Sequence, residues 1–318
     1  MKILVTGANG FLGSWICRVL GTRNEMIAMI RPNSLDFRLD GSESIRIVRG
    51  EDDDFNNIVK VHSPEVIVLC DWWGVENDFR HDPRQFSNVD RLSRRISSLN
   101  AARTVIGMGS QAEIGQRLKP IAEDILDAPT TLYGKAKVEV REMLERKLNS
   151  DVRFVWGRIF STYGPLDSNS WFIPGTINKI LHRQKVALTW GEQEWSFLHA
   201  FDLGLALQTI ILTDEISGVV NLGNPNTITI SEVARFIGNY MGASELLDFG
   251  ALPYREDQVM RLAPETRKLA EAGWHPQVEI WNGVSSLIDW MSGEKHFELN
   301  LSNGKTFHFH LPIYDSKK

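Results

Sequence analysis

Lys2-Ile3-Leu4-Val5-Thr6-Gly7-Ala8-Asn9-Gly10-Phe11-Leu12-Gly13 is the stretch that decides the fold. A short apolar strand runs into glycines at positions 7, 10 and 13, and Gly13 to Leu20 continues with a helical pattern. In a strand–turn–helix unit, glycines at this spacing allow a tight turn, close approach of a pyrophosphate and close helix–sheet packing. The helix start adds backbone amides and the positive end of its dipole. Gly7, Asn9, Gly10, Phe11, Leu12 and Gly13 are therefore the first candidates for binding a dinucleotide.

Working outward, short apolar runs recur at Met26–Ile30, Ile45–Val48, Val66–Leu69, Thr104–Met108 and Val152–Trp156, with helical stretches between them. Such runs are the mark of a parallel sheet covered on both faces. Right-handed crossovers then give an α/β, doubly wound sheet of the Rossmann kind over residues 1–160. From Ser161 to Trp195 the texture changes to Pro, Gly, Asn, Trp and Ser, as in a smaller lobe of loops over a cleft. Phe201–Leu212 reads as helix and Val219–Leu222 as a further sheet strand, so part of residues 197–222 returns to the first unit. The second lobe is then discontinuous, 161–196 and 223–318. A helix is expected to start at Ser231, with Val233, Phe236, Ile237 and Tyr240 on one face. Phe297–Leu301 and Thr306–His310 flank Asn303-Gly304, a hairpin pattern.

The 318 residues carry 35 basic and 40 acidic side chains, a net charge of −5. That balance argues against nucleic acid or an anionic membrane as main partner. With no apolar run near 18 residues and no leader-like start, a cytoplasmic protein is expected. The two cysteines, Cys17 and Cys70, sit in apolar runs and read as reduced thiols; neither they nor the eight histidines show metal spacing.

Chemistry is suggested by Tyr133 and Lys137 in Thr131-Leu132-Tyr133-Gly134-Lys135-Ala136-Lys137, with Ser110 upstream. Residues four apart share a helix face. The lysine ammonium is expected beside the phenol, lowering its pKa so that it exchanges a proton with a carbonyl or alcohol oxygen. At the end of the second strand stands Arg31, not an acid, which favours the 2′-phosphate of NADP over the ribose hydroxyls of NAD; a solvated surface charge is the other reading. Glu51 or Asp52, after the third strand, is placed to accept the adenine amino group. His199 reads as a packed histidine. Trp72, Trp73, Trp171, Trp190 and Trp195 fall in the loops expected around the cleft, where stacking and plain packing both suit them.

Together, Thr6–Gly13, Ser110, Tyr133-x-x-x-Lys137 and Tyr163-Gly164-Pro165 resemble the extended short-chain dehydrogenase/reductases, the nucleotide-sugar epimerases, dehydratases and 4-ketoreductases. Gly109–Glu113, Trp190–Trp195 and Leu252–Gln258 resemble the bacterial branch that reduces 4-keto-6-deoxy nucleotide sugars. The resemblance implies Tyr133 as acid/base, Lys137 as its partner and holder of the nicotinamide ribose, and Ser110 as hydrogen-bond partner of the reacting oxygen. It gives Asn88 a structural or cofactor-supporting role and Arg255 the substrate pyrophosphate. Ile114, Ser161 and Trp195 depart from the family pattern at positions expected to line the substrate site, as does Gln111-Ala112-Glu113, which lacks the acidic pair of the dehydratases. Glu113 either assists there or points outward.

The expected activity is NADPH-dependent reduction of the C4 ketone of a nucleotide-linked 4-keto-6-deoxyhexose, by a homodimer packed through helices at 89–102 and 131–148. A 4-epimerase with retained NAD has the same residues, and a non-catalytic NADP sensor shares the fold.

Overall fold

The computed structural model describes residues 1–39, 45–256, 258–293 and 297–314. Its main sheet has seven parallel strands: β1 (Lys2–Thr6), β2 (Glu25–Ile30), β3 (Ile45–Arg49), β4 (Val66–Leu69), β5 (Thr104–Ser110), β6 (Arg153–Ile159) and Gly218–Leu222. In space the order is Gly218–Leu222, β6, β5, β4, β1, β2, β3. The chain moves outward from β1 through β2 to β3, then returns to β1's other side as β4. Between β1 and β4 the connections diverge, and the crevice at their carboxyl ends is where such sheets bind ligands.

Alternation along each strand sends side chains to two covered faces. Ile3, Val5 and Val68 pack with Ile16 and Leu20 of α1 (Phe11–Leu20) and with Leu203 and Leu207 of the Ala200–Leu212 helix. Leu4, Ile67 and Val105 pack with Phe55 and Val59 of α2 (Phe55–His62) and with Val140 and Leu144 of the Leu132–Lys147 helix. A third core, containing Tyr163, Phe197, Val233, Ile237 and Leu287, is drawn from separate stretches of chain and takes in Trp15 of α1 and Phe201.

The terminal hairpin forms as Phe297–Asn300 against Thr306–Phe309, with Phe297 opposite Phe309. It packs on the main unit: Trp15 of α1 meets Phe297 and Phe309 edge-on at 6.0 and 5.1 Å. His199 is packed as expected, stacked on Phe297 and buried.

Three expectations need adjustment. β5 and β6 run on to Ser110 and Ile159, because Met108, Gly109 and Ser110 pair with Gly157, Arg158 and Ile159. Within that extension, Arg158 is fully buried beside a carboxylate partner described below. The helix expected from Ser231 spans Ile230–Tyr240 and is capped by Thr229, which exchanges bonds with Glu232 in a capping box. Its Tyr240 stacks on Phe236, as one face requires, yet stays exposed, and its hydroxyl donates to Asp289. The helix expected over 89–102 is interrupted: α3 (Ser87–Ser93) is followed by a single turn, Ile96–Leu99. Between them Arg95 turns inward and is buried.

Candidate active site

The turn after β1 is shaped as its glycines require. Gly7 has φ +63°, and a Cβ on it would come within 2.8 Å of the Asp71 backbone. A Cβ on Gly13 would come within 2.3 Å of the Gly7 carbonyl oxygen. Gly10 caps α1 without a side chain, so nothing on the cap competes for the first-turn amides of Phe11, Leu12 and Gly13. This cradle fits a pyrophosphate.

A loop after β2 closes over the turn. The Asn9 amide donates to the Leu35 carbonyl, and Arg38 donates to the carbonyls of Leu166 and Asn9. Arg49, at the end of β3, braces that loop through the carbonyls of Pro32 and Ser34 and the Asp36 carboxylate. Arg31 is exposed at the tip of β2. Glu51 is exposed, whereas Asp52 is engaged by Arg95.

Beneath the turn lies a network that the sequence reading missed. Asp71 accepts from Thr6, Arg91 and Arg95, and Arg95 also reaches Asp52. Burial works against the Asp71 charge, yet the two guanidiniums and Thr6 hold its carboxyl below the usual range. The i, i+4 spacing of Arg91 and Arg95 was its only trace in sequence. Asn88 is structural: its side chain accepts from the Trp73 amide at 3.0 Å and donates to the Gln85 carbonyl at 3.0 Å.

Ser110 ends β5, and against the stronger effect of burial its side chain draws down the pKa of the Tyr133 phenol. Tyr133 lies in the first turn of the Leu132–Lys147 helix, which Thr131 caps by accepting from the Gly134 amide. Lys137, one turn on, is 4 % exposed. Its ammonium donates to the Met108 carbonyl at 2.7 Å and lies 5.7 Å from the Tyr133 ring centre. Ser110, Tyr133 and Lys137 are therefore brought together, but the ammonium does not lower the phenol pKa as expected. Burial dominates, pushing the phenol up to about 12 against the opposing pull of Ser110 and Arg80. Burial also pushes the Lys137 ammonium down, opposed chiefly by Glu113.

Glu113 points neither into the cleft nor outward. It is fully buried, and its carboxylate accepts from the Ser110 amide at 2.6 Å, the Trp156 indole at 3.0 Å and Arg158 at 3.4 Å. Burial outweighs these donors and raises its pKa. Ile114 is likewise buried, in a small core with Ile121, Phe160 and Leu262, so it lines no cleft.

Two segments noted separately in sequence meet. The Glu192 carboxylate and amide both bond the Tyr254 hydroxyl, and the Trp195 indole donates to the Val259 carbonyl at 2.8 Å. Gln116, just beyond Ser110, reaches the Gln258 carbonyl. Ser161 is half-buried in a short strand beside Phe197–His199, and Arg255 is exposed on the loop before Gln258. Asp257, within the Leu252–Gln258 motif, lies outside the described residues. Among the described residues there is no metal-holding group of acids, cysteines and histidines, and no helix long and apolar enough to cross a membrane.

Known proteins resemble this chain in sequence and in fold. CDP-abequose synthase of Salmonella muenchen is 26% identical over 299 residues, 90% of this chain and 97% of that protein. GDP-L-fucose synthase 1 of Arabidopsis thaliana is 31% identical over 141 residues, only 42% of its length, and CDP-abequose synthase of Salmonella typhimurium 28% over 144, 48% of its length. Among solved structures, UDP-N-acetylglucosamine 4-epimerase of Methanobrevibacter ruminantium superposes with TM-score 0.83 at 19% identity, over 92% of this chain and 98% of that one. UDP-glucuronic acid 4-epimerase of Bacillus cereus, solved with NAD, gives 0.80 at 20% over 91% and 98%. The model of the NAD dependent epimerase/dehydratase family matches residues 3–223, from β1 through the last sheet strand, and the chain belongs to that family.

Proposed function

We propose that this chain is a homodimeric, NADPH-dependent reductase of the C4 ketone of a nucleotide-linked 4-keto-6-deoxyhexose. One observation carries the reading: Ser110, at the carboxyl end of β5, and a buried Lys137 are brought to Tyr133. The glycine cradle fits the dinucleotide pyrophosphate, with Arg31 at the 2′-phosphate and the exposed Glu51, rather than Asp52, at adenine. Full-length similarity to the S. muenchen CDP-abequose synthase supports the nucleotide sugar.

The bound dinucleotide supplies a hydride. Tyr133, protonated well beyond neutral pH, gives its proton to the ketone oxygen as negative charge develops there. Ser110 hydrogen-bonds that oxygen, and the Lys137 charge steadies the phenolate left behind. Arg255 takes the substrate pyrophosphate, a task suited to its forked donors. Ser161 and Trp195 flank the sugar.

The test follows NADPH absorbance with a panel of 4-keto-6-deoxy nucleotide sugars, NADH in parallel. Consumption of NADPH with one of them is expected. No consumption, with NAD released on denaturation, replaces the reductase by a 4-epimerase.

A further inference from the structure

The loop after β4 places an indole where the reaction pair needs a wall. Lys137 Nζ lies 3.6 Å from the centre of the Trp72 ring, over its face. The same ring meets Tyr133 edge-on, 6.0 Å away with the planes at 87°. Trp72 is fixed from behind by Gln85, which is wholly buried. Gln85 accepts from the Trp72 indole at 2.9 Å and donates to the carbonyls of Gly74 and Phe79. Asn88 ties down the next residue, Trp73. A buried glutamine with every bond spent on this loop is a bracket, and what it holds is one aromatic face under one ammonium.

We propose that Trp72 is a positioning residue for Lys137, holding its ammonium by a cation–π contact and keeping it charged in a site that excludes water. The catalytic consequence rests on the reductase reading; the contact does not. A buried ammonium with one carbonyl acceptor is poorly solvated, and an indole face is the best aromatic substitute for lost hydration. The charged and titratable groups around Lys137 come from every side: Glu113 after β5, Cys70 and Asp71 after β4, Arg91 on α3 and Tyr133 on its own helix. Trp72, like the Met108 carbonyl, favours the cation without carrying charge.

The experiment titrates Lys137 in the full chain by carbon-13 NMR of ε-labelled lysine. Its resonance is identified by loss in Lys137→Met and by an upfield ring-current shift. In Trp72→Leu the midpoint is expected to fall by about 1 to 1.5 pH units, the value of a desolvated cation–π contact. In Trp72→Phe, with its smaller face, it should fall by about half a unit. Circular dichroism confirms folding; if Trp72→Leu does not fold, Trp72→Phe carries the test. The basic limb of kcat/KM should move acidward in step. A midpoint unchanged to within about 0.2 units in a folded variant overturns the proposal. A shifted midpoint with no ketone reduced by the parent protein upholds the Trp72 contact and removes the reductase reading instead.

Discussion

Replacing Arg158 by Met should expose the cost of the carboxylate behind the active site. Arg158 and Glu113 are both fully buried, and Arg158 also reaches Asp127 at 3.4 Å. Methionine fills much of the space but leaves Glu113 with two hydrogen-bond donors and the more distant Lys137 charge. Stranding one member of such a pair costs about 3–5 kcal/mol. The sign with pH follows from the Glu113 pKa, which burial already raises. Loss of Arg158 raises it further above the unfolded value of about 4.3. The penalty is therefore complete above the folded pKa and fades as pH falls towards the unfolded one, by at most about 1.4 kcal/mol per pH unit. Urea unfolding followed by circular dichroism at pH 8, 7, 6 and 5 measures this directly. The gap between parent and Arg158→Met should narrow on acidification. Adding Glu113→Gln should recover about 1–3 kcal/mol at pH 8 and flatten the dependence. A cost below about 1 kcal/mol, or one that does not change with pH, refutes the view that Arg158 is there to compensate Glu113.

Three further outcomes are expected. Tyr133→Phe should keep dinucleotide affinity in a fluorescence titration and lose about 10²–10⁴ in turnover; turnover near that of the parent removes Tyr133 as acid. Arg31→Asp should weaken NADPH about ten- to hundredfold in KM and spare NADH, and an unchanged ratio removes Arg31 from the 2′-phosphate. Phe297→Ala, at the wholly buried end of the terminal hairpin, should cost about 3–5 kcal/mol in urea unfolding by leaving a void against Trp15 and His199; a negligible loss means that the hairpin is not part of the packed unit.

What the sequence made legible was whatever the backbone dictates locally. The glycine turn, the apolar strands and the Asn303-Gly304 hairpin each depend on neighbours a few residues away, and each stands where it was expected. Long-range polar pairing was not legible. Arg158 went unread because nothing within ten residues announces that Glu113, 45 positions earlier, folds back to meet it. Nothing in the sequence linked Asp71 to Arg91 and Arg95, and Asp52 read as a candidate contact for adenine. They form one network only because β4, α3 and the turn after β3 converge beneath the glycine loop. Even the Tyr133–Lys137 spacing told half the story: it put both on one helix face, while the Met108 carbonyl on β5 decided where the ammonium points.

These unread contacts share a physical logic. Buried charge is tolerated only with a partner, and around Lys137 the partners come in layers. Glu113 and Asp71 favour its ammonium from two sides while Arg91 opposes it. Each carboxylate is itself held by guanidiniums, Glu113 by Arg158 and Asp71 by Arg91 and Arg95. Loss of a guanidinium raises the proton affinity of its carboxylate, and a carboxylate that takes up a proton no longer attracts Lys137. The proton affinity of Lys137 thus depends on residues such as Arg158, on β6, that never approach its ammonium. The Met108 carbonyl and the neutral Trp72 face are supports that no proton can remove. A lysine held only by ionised partners would change charge whenever they did; one resting also on an indole keeps part of its stabilisation across the whole pH range.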